Sequence, residues 1–336
     1  MGPLKSGLWS TKVWLRTVIP DNLWHLLSKP VQPWRRNQYS EVDIGETVYG
    51  LESEYMVIRR RPPGAGLLSN VNHVMQGIER SRELGIIPVV DMNRYPTIYT
   101  QSRGVLGKTN SWEYFFQPLS RMSLNEVYSS KKYILSAGDR ILPNHWLSDK
   151  SQTFILSAEK LEYAKKIVDD WIFLNAWTDL LKKKIKEAVQ WRPEETLGVF
   201  LRHDHLTLQP ANHPRQPSIE TLIEAIKEKL QENTFRYLFI ATENREFREY
   251  LHTRIKLTPV KDFVDLTVLK KLANLDREPD SSIQSPILKL GGYLIQTYLF
   301  SEVKSCVSGI ANGSTFSFIL NGRRYENPKV FDLGVY

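Results

Sequence analysis

The sequence predicts an α/β chain with a parallel sheet in each half. Two strand–helix–strand units carry that prediction, one near residues 55–90 and one near residues 197–241, and the composition agrees with it. With 336 residues, 41% apolar and 24% charged, the chain is an ordinary folded protein with room for about two domains.

The first unit opens with Tyr55-Met56-Val57-Ile58, a short strand. Arg59-Arg60-Arg61-Pro62-Pro63-Gly64-Ala65-Gly66 follows as a turn-rich loop. From Asn70 to Leu84, apolar Val71, Val74, Met75 and Ile78 recur at helical spacing, and Gly85 ends that helix. Ile86-Ile87-Pro88-Val89-Val90 reads as a buried strand. Ser157 opens a long helical stretch with Ala164, Ile167, Val168, Trp171 and Leu174 on one stripe. Its continuation, Leu181-Lys182-Lys183-Lys184-Ile185-Lys186, reads as a solvated basic face. Pro193 falls where a linker between halves is expected. In the second unit Leu197-Gly198-Val199-Phe200-Leu201 is a strand. Ser218 caps a helix with Ile219, Leu222, Ile223, Ile226 and Leu230 on one face, and Tyr237-Leu238-Phe239-Ile240-Ala241 returns as a strand. Two such units predict two Rossmann-like halves, with ligand between them at the carboxyl ends of the strands.

The charge is uneven. Lys and Arg exceed Asp and Glu to give a net +8, which suits a phosphorylated substrate, an anionic membrane or nucleic acid. Residues 1–36 hold six basic residues against Asp21 alone, together with Trp9, Trp14, Trp24 and Trp34. Interleaved cations and indoles fit a headgroup interface, and they equally fit tryptophans packed back onto protein beneath a basic rim. Nucleic acid is not expected as a partner, because the folded part lacks a basic-aromatic motif. A single cysteine, Cys306, excludes an internal disulfide and a cysteine-rich zinc site, and favours a reducing compartment. No apolar run reaches the roughly 18–20 residues that cross a bilayer, and no signal peptide is read at the start. The expected location is therefore cytoplasmic, with the basic arm as a means of peripheral attachment to the inner face of the cell membrane.

Several chemistries lose support. The Gly64-Ala65-Gly66 turn lacks the third glycine of a dinucleotide fingerprint, since Ser69 stands there. The full phosphate-loop motif Gly-x-x-x-x-Gly-Lys-Ser/Thr and the Gly-x-Ser-x-Gly elbow are both absent. His203 and His205, two apart, lack a third ligand pattern, so no metal is expected. There is no Asp-x-Asp to hold a cation on a diphosphate, which leaves Arg, Lys and backbone N–H groups to neutralise phosphate. Arg202, directly after a strand, is the leading candidate because a guanidinium matches phosphate oxygens with paired hydrogen bonds. Asn312-Gly313-Ser314-Thr315-Phe316-Ser317 offers small donors and a Phe able to stack on a base, or an ordinary helix cap.

Taken together, these segments resemble the fucosyltransferase-related glycosyltransferases, including nodulation-type α-1,6-fucosyltransferases and protein O-fucosyltransferases. The resemblance covers roughly residues 50–336. It is carried by Pro63 to Val74, Ile87 to Met92, Asn110 to Pro118, Thr196 to Arg202, His213 to Ser218, Ala241-Thr242-Glu243-Asn244 and the closing Phe331-Asp332-Leu333-Gly334-Val335-Tyr336. Beyond the basic arm over 1–36, it implies a GT-B fold with an acceptor-side half over 37–192 and a donor-side half over 193–336. It implies a nucleotide diphosphate sugar as donor, GDP-fucose first, with no metal or other cofactor, a glycan acceptor, and a role in surface polysaccharide assembly such as capsule or O-antigen. Arg202 would bind the donor diphosphate. Gly64, Gly66, Asn70, Thr242, Glu243, Ser314, Thr315 and Phe316 would line the donor site. His203, Asp204 and Glu243 are the candidate bases. Where relatives read Arg-Gly-x-Asp, this chain reads Arg202-His203-Asp204-His205. That departure supports a rival reading, a non-catalytic glycan- or partner-binding protein on a transferase scaffold.

Overall fold

The computed structural model describes residues 53–59, 66–136, 157–202, 209, 213–273 and 285–336, and Glu54–Tyr336 form one compact unit. The arm, Gly64, His203 and Asp204 lie outside the described residues.

Strand β1 (Tyr55–Arg59) leads into helix α1 (Leu67–Leu84) and then strand β2 (Ile87–Asp91). Helix α2 (Leu124–Ser130) precedes β3 (Tyr133–Leu135), and the sheet runs β2-β1-β3, all parallel. The helix begins three residues before the expected start because Leu67 and Leu68 are buried in the same core as Val71, Val74, Met75 and Ile78. Gly77 lets it lie directly on the sheet, since a Cβ there would come within 2.6 Å of Ile58 Cδ1. Gly85 ends it in the left-handed region at φ 66°, a conformation glycine adopts without steric cost.

The expected long helical stretch is in fact two helices, α3 (Ala158–Trp171) and α4 (Ala176–Ala188). Ser157 does cap the first, accepting from the Lys160 N–H. Leu174 leaves the stripe because residues 172–175 dock sideways on 113–117. The Gln117 N–H donates to the Phe173 carbonyl at 2.8 Å, and Asn175 Nδ2 donates to the Glu113 carbonyl at 2.8 Å. The Asn175 side chain also accepts from the Thr178 N–H, capping α4. Such tertiary contacts outweigh the small propensity gain of a continuous helix. The lysine run is part solvated and part paired, with Lys182 and Lys183 on Asp179 and Lys186 on Glu302.

Pro193 opens a short 3₁₀ turn into β4 (Thr196–Phe200). The following elements are α5 (Ile219–Glu232), β5 (Tyr237–Ala241), α6 (Arg245–Arg254), β6 (Thr258–Pro259), α7 (Leu266–Leu272), α8 (Ser285–Phe300), β7 (Ser305–Gly309), α9 (Asn312–Asn321) and β8 (Lys329–Phe331). The sheet order is β6-β5-β4-β7-β8, all parallel, the strand pattern of a Rossmann half. The switch point lies at β4, between β5 and β7. A single apolar cluster runs from Met56 and Ile58 through α1, α8 and α9 to Phe200 and Phe239, so both sheets share a core. Among the described residues no helix is long and apolar enough to cross a membrane.

Candidate functional site

Three chain segments emerge at the carboxyl ends of β4, β5 and β7, and each delivers part of the site. Beyond β4, Leu201 turns its side chain into the core while its N–H donates to the Ala241 carbonyl at 3.2 Å. That fixes Arg202 beside β5. The Arg202 Nε lies 3.0 Å from Glu243 Oε1. The pair is close, but the N–H is not aimed at the oxygen: the buried Nε makes no hydrogen bond among the described residues. A buried guanidinium N–H without an acceptor is costly, and a ligand oxygen would satisfy it.

Tyr293 on α8 reaches the same place. Its hydroxyl bonds to the Arg202 side chain, and burial pushes its pKa up to about 12, against the pull of the Arg202 charge. The phenol therefore stays protonated. The same hydroxyl lies against Gly313 in the first turn of α9. A Cβ at Gly313 would collide with it and would come within 2.6 Å of Phe200 Cζ. Arg202 and the amino end of α9 thus meet at Tyr293.

The cap of α9 is unusual. Its N-cap is Ala311, which makes no side-chain cap hydrogen bond. Ser314 Oγ accepts from the Ala311 N–H at 2.9 Å and faces the Gly309 carbonyl at 2.9 Å, so this buried hydroxyl holds the turn. The helix start keeps its partial positive charge, with N–H groups that no N-cap side chain covers. Across from it, Asn72 Nδ2 on α1 donates to Asn312 Oδ1 at 3.1 Å. The Asn72 Oδ1 is itself buried without a partner. The start of α1 is bare as well: its N-cap, Gly66, makes no side-chain cap bond, and a Cβ there would meet open space. Asn70 is buried, with Nδ2 donating to the Gly66 carbonyl at 3.2 Å.

The structure therefore brings Arg202, Glu243 and the 312–315 turn together. It puts other expected residues elsewhere. Phe316 is fully buried, edge-on to Tyr298 with ring centroids 6.1 Å apart, so it offers no face for a base to stack on. Thr242 is buried, with its hydroxyl accepting from the Asn244 N–H at 3.2 Å and its carbonyl from Arg248 at 2.9 Å; it shapes the turn into α6. Thr315 is nearly buried, one turn into α9. Asp91, at the end of β2, is spent on the Asn93 and Arg94 N–H groups and on the Tyr128 hydroxyl at 2.7 Å. The segment from Asn110 to Phe116 builds core, through the Asn110 bonds to Met92 and Val90 and the burial of Trp112, Phe115 and Phe116. Cys306 is buried, which raises its thiol pKa and leaves it unreactive. Among the described residues no cluster of three or more His, Cys, Asp or Glu could hold a metal.

Tyr293, Asn72 and Gln216 are site residues that sequence reasoning did not assign a role. Tyr293 sits inside a helical pattern that gives no sign of it. Asn72 and Gln216 lie in segments that carry the resemblance, Pro63 to Val74 and His213 to Ser218, and that was their only signal.

No protein-family model matches the chain, and no curated protein matches it in sequence. Solved structures do match. The NodZ α-1,6-fucosyltransferase from a crystal soaked with GDP-fucose aligns with a TM-score of 0.50 and 12% identity, over 80% of this chain and 92% of that one. NodZ from Bradyrhizobium aligns at 0.45 and 13%, over 81% and 93%. The apo form of POFUT1 aligns at 0.33 and 12%, over 85% and 76%. The chain has the GT-B fold of the fucosyltransferases.

Proposed function

We propose that this chain is a glycosyltransferase that binds a nucleotide diphosphate sugar at the ends of β4, β5 and β7, with GDP-fucose as donor. The observation that carries the reading is the Arg202 guanidinium, ion-paired with Glu243 and bonded to Tyr293 yet with its buried Nε–H in no hydrogen bond, beside the uncapped start of α9 at the switch point of a parallel sheet. A fold shared with a fucosyltransferase crystal soaked with GDP-fucose supports the donor class. Residues 193–336 form the donor side and residues 37–192 the acceptor side, with α1 contributing Gly66, Asn70 and Asn72.

In the reaction the bond between the anomeric carbon and the diphosphate breaks as an acceptor hydroxyl attacks. Negative charge grows on the leaving diphosphate. Arg202, fixed by Tyr293, and the N–H groups of α9 are placed to stabilise that charge. Glu243 sits against Arg202. It and the undescribed His203 and Asp204 remain the candidates to take the acceptor proton. Calorimetric titration with GDP-fucose, followed by transfer assays on surface glycans, tests the reading. Saturable binding is the expected result. No binding to any nucleotide sugar favours the rival, a non-catalytic glycan or partner binder, which the Arg202-His203-Asp204-His205 departure supports.

Two expectations accompany the reading. With no Asp-x-Asp in the chain, transfer is expected to persist in excess chelator; a strict need for magnesium or manganese would overturn metal independence. For the basic, Trp-rich arm, deletion of residues 1–36 is expected to abolish sedimentation with anionic liposomes while donor binding persists. Equal sedimentation of both forms would show that the arm does not anchor the protein at the inner face of the membrane.

A further inference from the structure

The Gln216 carboxamide is buried between the carboxyl ends of β4 and β7. Its Nε2 donates to the Ile310 carbonyl at 2.7 Å and to the Pro214 carbonyl at 3.3 Å. Its Oε1 accepts from the Arg202 backbone N–H at 3.4 Å. The fit is tight: a Cβ on Gly309 would collide with Oε1 and come within 3.1 Å of Pro217 Cδ. Both amide hydrogens and one lone pair of the oxygen are engaged with backbone groups, so the carboxamide's bonds serve the fold around the site. What it does is tie two backbones together. One carries the Arg202 guanidinium. The other, at Ile310, enters α9 two residues later.

We propose that Gln216 fixes the spacing between the Arg202 guanidinium and the first turn of α9, and that this spacing makes the site prefer a diphosphate over a monophosphate. The proposal rests on the donor-site reading above. The physical argument is one of preorganisation. Two linked phosphates gain from a second anion-binding element only if it already stands at the right separation from the first. A single phosphate needs no such match. Without the crosspiece, the two elements move independently, and a diphosphate must order them at its own expense. Gln216 is thus a positioning residue that acts through Arg202 and α9.

The test compares GDP with GMP, by calorimetry on the full chain. The wild type is expected to bind GDP at least about tenfold more tightly, since each charge-assisted bond to the second phosphate is worth roughly a decade or more. Gln216→Met keeps the length and removes the hydrogen bonds. It is expected to cut the GDP/GMP ratio to within about threefold, mostly by weakening GDP. Adding Arg202→Ala to Gln216→Met should change the ratio little further, because both act on one device. A purely structural role would weaken GDP and GMP alike. So a wild-type preference that survives in folded Gln216→Met, or an equal loss for both ligands, overturns the proposal alone. A wild type that binds neither ligand, or both equally, overturns it together with the donor-site reading. Gln216→Glu is read in parallel: it keeps the acceptor for the Arg202 N–H but sets an oxygen against the Ile310 carbonyl, and the same loss of preference is expected. If neither variant folds, the carboxamide maintains the fold rather than tuning the site, and the proposal falls.

Discussion

Replacing Arg202 by alanine is expected to weaken nucleotide-sugar binding by at least about tenfold and to reduce transfer further. Bonds from a charged donor to phosphate contribute on the order of 1.5–3 kcal/mol each, and about 1.4 kcal/mol is one decade in affinity. The larger loss in transfer follows because the leaving diphosphate carries more charge in the transition state than in the ground state. The fold should survive. Arg202 is about a third exposed at the strand end, and its pairing with Glu243 is of the part-solvated kind that adds little to stability. Lysine should restore only part of the function, since an ammonium cannot donate from a planar fork or hold the Tyr293 contact in the same geometry. Titration and thermal melting of the alanine and lysine variants read all three expectations. Unchanged affinity in a folded Arg202→Ala would put the diphosphate elsewhere.

Phe316→Ala is expected to destabilise the fold by about 3–5 kcal/mol, as removal of a fully buried aromatic ring leaves a cavity that neighbours fill only in part. The ring packs against Tyr298 within the cluster that joins α8 and α9. Were Phe316 a stacking platform, the same change would leave stability near wild type and weaken nucleotide binding by roughly 1–3 kcal/mol. Denaturant unfolding of the variant separates the two outcomes. Phe316→Leu, which refills most of the volume with apolar atoms, should recover much of the stability.

The sequence by itself determined the α/β class, most of the strands, the Gly85 helix stop, the Ser157 and Ser218 caps, and Arg202 as the residue at a strand end. These follow from local physics. A strand buried on both faces reads as an apolar run, a helix face reads as a 3.6-residue period, and a cap is set within four residues. Tertiary structure alone decided the rest. The break at residues 172–175 depends on backbone partners at 113–117, about sixty residues away. Phe316 follows Ser314 and Thr315 in sequence, yet the rotation of α9 turns it into the core, while Gly313 faces Tyr293. Tyr293, Gln216 and Asn72 acquire roles only where helices and strand ends from distant parts of the chain converge. A hydrogen bond between residues 72 and 312, or between residues 202 and 216, leaves no periodic trace, because no local backbone preference encodes it.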